Sequence, residues 1–435
     1  MSTLFPILNE ASAEFDAALS KLVRRGSLDF DAVEPVVRDI VAGVRSGGDE
    51  AVLRYIERFE HRTPAALVRG VYDGKAAFER LPQAVRDSLV LAAERIERYH
   101  RRQWEVEFRG GGFSYEEEGI RLGMRVRPMR RVGVYAPGGK ARYPSSVLMS
   151  AIPACVAGVR EIVLATPAPD DSVLAAAYLA SVNTVLDAGG AHAIAALAYG
   201  TESLRRVDKI AGPGNAFVAC AKRLVFGDVA IDSIAGPSEI LVLADEHADP
   251  TLCAADLLSQ AEHDEASYAV LVTTSSRIAT ETLGEVARQL DSLDRKSIAT
   301  EALRNHGAIF VVGSEARLVE VADLIAAEHV SFHLQRADDV AQRIDGIGAA
   351  LLGAETPVAA ADYIAGPSHV LPTGGCVRFG SPLGVHDFVV RSSMIRYSID
   401  ALRRHGPHIE TLARSEGLTA HARAVELRLR GPAGS

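Results

Sequence analysis

The chain has 435 residues, 48% of them hydrophobic and 24% charged, with 37 Gly and 19 Pro. That length holds roughly three domains of ordinary size, and the composition excludes long disorder or a fibrous architecture. The 56 acidic residues outnumber the 47 basic ones and leave a formal charge of −9, so nucleic acid is not expected as a partner.

No apolar run reaches the roughly 18 residues of a membrane span. The start, Met1-Ser2-Thr3-Leu4-Phe5-Pro6, lacks the basic and apolar stretches of a secretory signal. The expectation is a cytoplasmic protein with no membrane partner. Cys155, Cys220, Cys253 and Cys376 form no CxxC, which points to reduced core residues rather than disulfides or a thiolate metal site.

Along the chain, Phe30–Arg45, Asp49–Glu60 and Leu81–Arg102 carry apolar residues at helical spacing and no chemical motif. From Arg131 the pattern changes. Short β-branched runs (Val132–Ala136, Glu161–Thr166, Thr184–Asp187) alternate with helical stretches (Ser145–Gly158, Val173–Val182, His192–Tyr199), the mark of a parallel sheet covered by helices. A second such run follows: Glu239–Ala244, Tyr268–Thr274 and Ala308–Val312 as strands, and Pro250–His263 as a helix. Ala235-Gly236-Pro237-Ser238 is the turn that joins the two. From Tyr397 to Arg430 the chain reads as helices with too little apolar surface for a core of their own.

Four glycine turns stand out: Pro137-Gly138-Gly139, Gly189-Gly190, Gly212-Pro213-Gly214-Asn215 and Gly236-Pro237-Ser238. Each is expected between a strand and a helix, where glycine allows close backbone approach and helix amides favour anions. Taken singly such turns are usually only βα connections, but several at one end of a sheet suit a phosphate-bearing cofactor. Gly212-x-Gly214 lacks the third glycine of a dinucleotide fingerprint, and there is no P-loop.

Gln260 and His263, three residues apart near the end of a helix that Asp249 caps and Pro250 begins, share a face and can offer oxygen and nitrogen to a borderline metal. Alone, His263 reads as a helix-terminal cation. Glu328-His329 is an adjacent acid and base expected at the end of the helix Leu318–Ala327. Asp362 and His369 flank turn residues, and Glu416 and His421 lie in the tail.

Together these residues carry a resemblance. Val132-Gly133-Val134-Tyr135-Ala136-Pro137-Gly138-Gly139, Tyr143-Pro144-Ser145-Ser146, Gly212-Pro213-Gly214-Asn215, Ala235-Gly236-Pro237-Ser238-Glu239, Ser259-Gln260-Ala261-Glu262-His263-Asp264, Glu328-His329, His369–Gly375 and Glu416–Ala422 resemble histidinol dehydrogenases in motif and order, from about residue 30 to residue 430. The resemblance implies NAD- and zinc-dependent oxidation of L-histidinol, a small amino alcohol, to L-histidine in two hydride transfers. It implies Gln260, His263, Asp362 and His421 as zinc ligands, His329 as base and Glu328 as activator of water. Ser238, His369 and Glu416 become substrate contacts, and Tyr135, His192 and Asn215 cofactor contacts. It also implies a homodimer whose tails complete the partner's site.

The expected fold is α/β, with two Rossmann-like but incomplete parallel-sheet units, a helical N-terminal segment and a C-terminal helical dimerisation tail. Residues 1–24 form an N-terminal arm, 25–128 with 239–380 a first domain carrying metal and catalytic residues, 129–238 an NAD-binding domain, and 381–435 the tail. Three positions depart from the family pattern: His192 stands where a Gln is usual, and Lys140 and Arg142 replace small or uncharged residues. They suggest an alternative, a paralogue of the same fold acting on a sulfonated, phosphonated or phosphorylated alcohol. A non-catalytic binding protein or a bare scaffold leaves the metal-type constellation and the Glu328-His329 pair without a use.

Overall fold

The computed structural model describes residues 4–25, 30–108, 111–138 and 143–430. In chain order its strands are β1 (Ile7–Asn9), β2 (Val68–Arg69), β3 (Gly112–Glu117), β4 (Ile120–Pro128), β5 (Arg131–Tyr135), β6 (Glu161–Ala165), β7 (Thr184–Leu186) and β8 (Lys209–Ala211). Then come β9 (Ala230–Ile231), β10 (Glu239–Ala244), β11 (Tyr268–Thr273), β12 (Ala308–Val311), β13 (Ala327–His333), β14 (Ile347–Leu352) and β15 (Val389–Tyr397).

These strands build the expected α/β fold with two parallel sheets. One, ordered β1-β12-β11-β10-β13-β14, is parallel throughout. The other, β2-β7-β6-β5-β8-β9, is parallel except where β2 pairs antiparallel with β7. The run Glu239-Ile-Leu-Val-Leu-Ala shows why β10 is apolar on both sides. Ile240, Val242 and Ala244 pack on Leu257 and Ile278 of the helices Pro250–Ala261 and Ser276–Leu290. Leu241 and Leu243 pack on Phe15, Leu19, Val321 and Ile325 of the helices Ala13–Val23 and Glu315–Ile325. A central strand covered on both faces has no polar side to show.

Several boundaries differ from expectation. The N-terminal arm is part of the first sheet: β1 pairs with β12, and Phe15, Leu19 and Leu22, at helical spacing, bury against it. Residues 25–128 do not all accompany that sheet. The two helices expected over Phe30–Glu60 are there, contiguous over Glu34–Glu60 and broken at Gly48, whose φ 51° and ψ −137° are not helical; their Val37, Val44, Val52 and Ile56 pack with Ala193 and Leu197 in the core of the second sheet. An amphipathic stripe says that a helix has a buried face but not which distant strands cover it.

The tail is not all helix. β15 pairs antiparallel with β4, and β4 with β3, making a small sheet before the helices Ile399–Ser415 and Thr419–Arg430. Almost every residue of β15 after Val389 is exposed in the chain, so the apolar alternation that marks a strand is missing. By internal contacts the chain divides into two units, 1–102 with 129–388, and 103–128 with 389–435. Both parallel sheets lie in the first. Among the described residues, no helix is long and apolar enough to cross a membrane.

Candidate active site

Glu328 and His329 are on a strand, not at the end of a helix. The helix Glu315–Ile325 stops because Ala326 adopts a left-handed conformation, φ 50° and ψ 66°, and β13 starts at the next residue. No glycine announces that stop. Both residues are buried, 5% and 4% exposed, and the main chain of one residue orients them. The Glu239 N–H donates to Glu328 Oε2 at 2.7 Å, and the Glu239 carbonyl accepts from His329 Nδ1 at 3.1 Å. With Nδ1 held as the donor, Nε2 is the nitrogen left for chemistry.

His329 Nε2 lies 3.7 Å from Asp362 Oδ1 and has no hydrogen-bond partner. Burial opposes a charged ring here, but the nearby Glu328 carboxylate, and then Asp362, outweigh it and raise His329 to about 10. Asp362 is held below the usual carboxylate range despite its burial, by His329 and then by His369 and His263. Two carboxylates thus keep a proton on one imidazole.

The metal-type residues come from two places in the first unit. Asp249 caps the helix Pro250–Ala261 by accepting from Thr251 N–H at 2.8 Å, with Pro250 in its first turn, so Gln260 falls on the buried face and His263 just beyond the last turn. Gln260 is 1% exposed, and its Oε1 is buried without a hydrogen-bond partner. A buried amide oxygen left so is costly unless something binds it. With the imidazole of His263 and the carboxylate of Asp362 it makes a mixed N/O donor set that fits zinc. Among the described residues, no three His, Cys, Asp or Glu side chains already form a metal cage. Glu416 and His421 belong to the second unit and are exposed on it.

His369 is fixed at both nitrogens. Nδ1 donates to the Asp362 carbonyl at 2.9 Å, and Nε2 faces Ser146 Oγ at 3.2 Å. Burial keeps this ring below its ordinary value, so Nε2 accepts from the Ser146 hydroxyl. Ser238 is half-buried, and its carbonyl takes the Tyr268 N–H at 3.0 Å. Two residues earlier, Gly236 N–H donates to Thr373 Oγ1 at 2.6 Å, tying this turn to the His369 loop. The turn leads into strand β10 rather than a helix, so it opens at the amino end of the first sheet. Pro137-Gly138, Gly189-Gly190 and the Gly212–Asn215 turn follow the carboxyl ends of β5, β7 and β8 in the second.

At those carboxyl ends Tyr135 is 4% exposed, and its hydroxyl accepts the Gly190 N–H at 3.0 Å; burial pushes the phenol up to about 12. Gly212 has φ 117°, and a Cβ there would lie 2.1 Å from the Tyr135 carbonyl oxygen, so only glycine fits. Its N–H donates to Asp232 Oδ2 at 2.7 Å, and its carbonyl accepts from buried Lys222 at 3.0 Å, which also pairs with Asp232. Asn215 caps the next helix, accepting from Val218 N–H, and is exposed.

His192 is 2% exposed, and its Nε2 lies 3.0 Å from Glu60 Oε1. The same oxygen accepts the Gly189 N–H at 2.9 Å. Its ring is committed to a carboxylate of the protein and is not offered to a bound anion. Lys140 and Arg142, the other two departures, lie outside the described residues, so of the three positions behind the anionic-alcohol alternative the one that can be placed is turned to Glu60.

Sequence reasoning gave no role to Arg25, Glu239, Glu60, Lys222 or Asp232. The one local signal was Glu239, an acid opening an otherwise apolar strand; the rest depend on partners far away in the chain.

A family model for histidinol dehydrogenase matches residues 23–429. The chain is 46% identical to the histidinol dehydrogenase of Aquifex aeolicus, over 97% of this chain and 98% of that one. It is also 46% identical to that of Geobacter sulfurreducens, over 97% and 99%. The crystal structure of histidinol dehydrogenase from Elizabethkingia anophelis superposes with a TM-score of 0.90 at 32% identity, covering 99% of both chains.

Proposed function

The chain belongs to the histidinol dehydrogenase family, and from that membership we propose that it oxidises L-histidinol to L-histidine through L-histidinal as a cytoplasmic, zinc- and NAD-dependent homodimer. The observation that carries the reading is the Glu239 main chain, which orients both Glu328 and His329; the buried, unpartnered oxygen of Gln260 supports the metal part of it. Gln260, His263 and Asp362, with the partner's copy of residue 421, a histidine, would hold the metal. Zinc, when bound there, would supply positive charge that orients the substrate and offsets part of the negative charge that Glu328 and Asp362 place beside His329.

His329 then takes the alcohol proton at Nε2 while hydride leaves the carbinol carbon for NAD. Its Nδ1 stays on the Glu239 carbonyl, so the ring does not turn as it changes charge. In the second stage Glu328 removes a proton from the water that adds to the aldehyde carbon, giving the hydrate from which the second hydride departs. Glu328 Oε2 is anchored by the Glu239 N–H, which leaves Oε1 for the water. Ser238 and His369, with the partner's copy of residue 416, a glutamate, would contact the substrate. Tyr135 and Asn215 face the nucleotide, with His192 supporting the Gly189-Gly190 turn against it.

The Glu328→Gln variant tests the division of labour. Expected is alcohol oxidation near the wild-type rate with aldehyde oxidation slowed by about 10²- to 10⁴-fold, the usual worth of a general base. Aldehyde oxidation at the wild-type rate would remove Glu328 from the water step.

A further inference from the structure

Arg25 and Glu239 form an ion pair whose side chains are only 2% and 3% exposed, and the mechanism above uses neither side chain. Arg25 Nε and Nη2 reach Glu239 Oε1 and Oε2, both at 2.7 Å. Oε1 also accepts the Gly374 N–H at 2.9 Å, and Oε2 the Glu328 N–H at 3.4 Å. The guanidinium spends its remaining donors on the carbonyls of Leu22 (3.0 Å), Ile325 (2.8 Å) and Ala326 (3.4 Å).

A buried ion pair contributes little net stability, and apolar residues of the same volume often do as well. What they cannot supply is direction. These contacts converge on the left-handed corner at Ala326, on the first residues of β13 and on the Gly374 turn that follows the His369 loop. Glu328 is gripped three times over: through its N–H by the Glu239 carboxylate, through its Oε2 by the Glu239 N–H, and through the two residues at positions 325 and 326 by Arg25. A shift of the Glu328 backbone along the strand axis therefore breaks contacts of the pair, and that backbone sets where the carboxylate meets the Glu239 N–H.

We infer that Arg25 and Glu239 are positioning residues for the aldehyde-oxidising stage, holding the Glu328 carboxylate where it meets the attacking water. The inference rests on the reading of Glu328 as the group that activates that water. His329 is bound to Glu239 only through the main-chain carbonyl, so loss of the two side chains falls more heavily on Glu328 than on His329.

Arg25→Met alone leaves a buried carboxylate uncompensated and is prone to misfolding; the double variant Arg25→Met/Glu239→Gln removes both charges, and Arg25→Lys keeps the charge without the two-pronged geometry. Each is assayed zinc-loaded, with L-histidinol and with L-histidinal supplied directly, alongside Glu328→Gln. Expected for the double variant is a fall of about 10- to 100-fold in kcat on the aldehyde, as displacements of about an ångström produce. KM for the aldehyde stays within about twofold and the alcohol stage loses far less, while Arg25→Lys falls between the double variant and wild type. An aldehyde kcat equal to wild type in the folded double variant overturns the inference. So does an equal fall in both stages together with the thermal midpoint, since that marks a purely structural pair. If Glu328→Gln oxidises the aldehyde normally, the water reading and this inference both fail; if Glu328→Gln is slow while the double variant is normal, only the positioning role fails.

Discussion

Replacing Lys222 by Met isolates the device that shapes the nucleotide end. Lys222 and Asp232 are 2% and 5% exposed at their side chains, and between them they hold both main-chain polar groups of Gly212. Lys222→Met leaves Asp232 ionised and buried without its cation and removes the donor to the Gly212 carbonyl. Breaking one side of such a pair costs about 3–5 kcal/mol. In Lys222→Met/Asp232→Asn, a neutral amide oxygen still accepts the Gly212 N–H and no charge is stranded, so the double variant recovers at least about 1–2 kcal/mol of that loss. Urea unfolding, read as a change in midpoint at constant slope, gives both values. Because Gly212 passes within van der Waals reach of Tyr135, the single variant should also bind NADH about tenfold more weakly, roughly 1.4 kcal/mol, by fluorescence titration. A single variant that loses under about 1 kcal/mol, or a double variant as unstable as the single, would refute the claim that this pair acts by charge compensation around Gly212.

Gln260→Leu should leave the metal-free protein as stable as wild type or more so, because it deletes an orphaned buried oxygen worth about 1–3 kcal/mol; its zinc affinity, by competition with a chelator, should drop at least about tenfold. Mixing His421→Asn subunits with Glu328→Gln subunits, which are blocked only at the aldehyde stage, should restore histidine formation to about a quarter of wild type, since half of randomly paired dimers hold one intact shared site; no recovery after confirmed exchange would argue for sites completed within one chain. Burial keeps His100, 0% exposed, below the ordinary imidazole value. A base with a lowered folded pKa stabilises the fold above its unfolded value of about 6.5, and that stability is lost as pH falls further. His100→Asn should therefore narrow the gap between thermal midpoints at about pH 8 and about pH 5.5, and an unchanged gap would remove His100 from the acid response.

Where a feature is local, the sequence carried it. Asp249-Pro250 announces a helix start, Gly212 announces a backbone that no side chain can follow, and the all-apolar Ile240–Ala244 announces a strand covered on both faces. Local pattern failed where a long-range contact decides. Ala326 turns left-handed without a glycine, at a corner where Arg25, some 300 positions away, binds the carbonyls of Ile325 and Ala326. β15 carries few buried residues in the chain and so shows no alternation. The second sheet claims the helix Glu34–Glu60 through residues more than a hundred positions away. The same holds at the candidate site. The types and order of Gln260, His263, Glu328, His329, Asp362 and His369 are legible as motifs, but the Glu239 main chain that orients two of them, and the Glu60 carboxylate that occupies His192, appear only when distant strands meet.

The central claim, a four-electron oxidation of histidinol at a zinc site, is tested most directly by counting NADH formed per L-histidinol consumed by the purified, zinc-loaded protein. Two NADH per histidinol are expected, with turnover abolished by a chelator and restored by zinc. One NADH per histidinol with aldehyde released, or no turnover from a zinc-loaded protein that binds NAD, would contradict it.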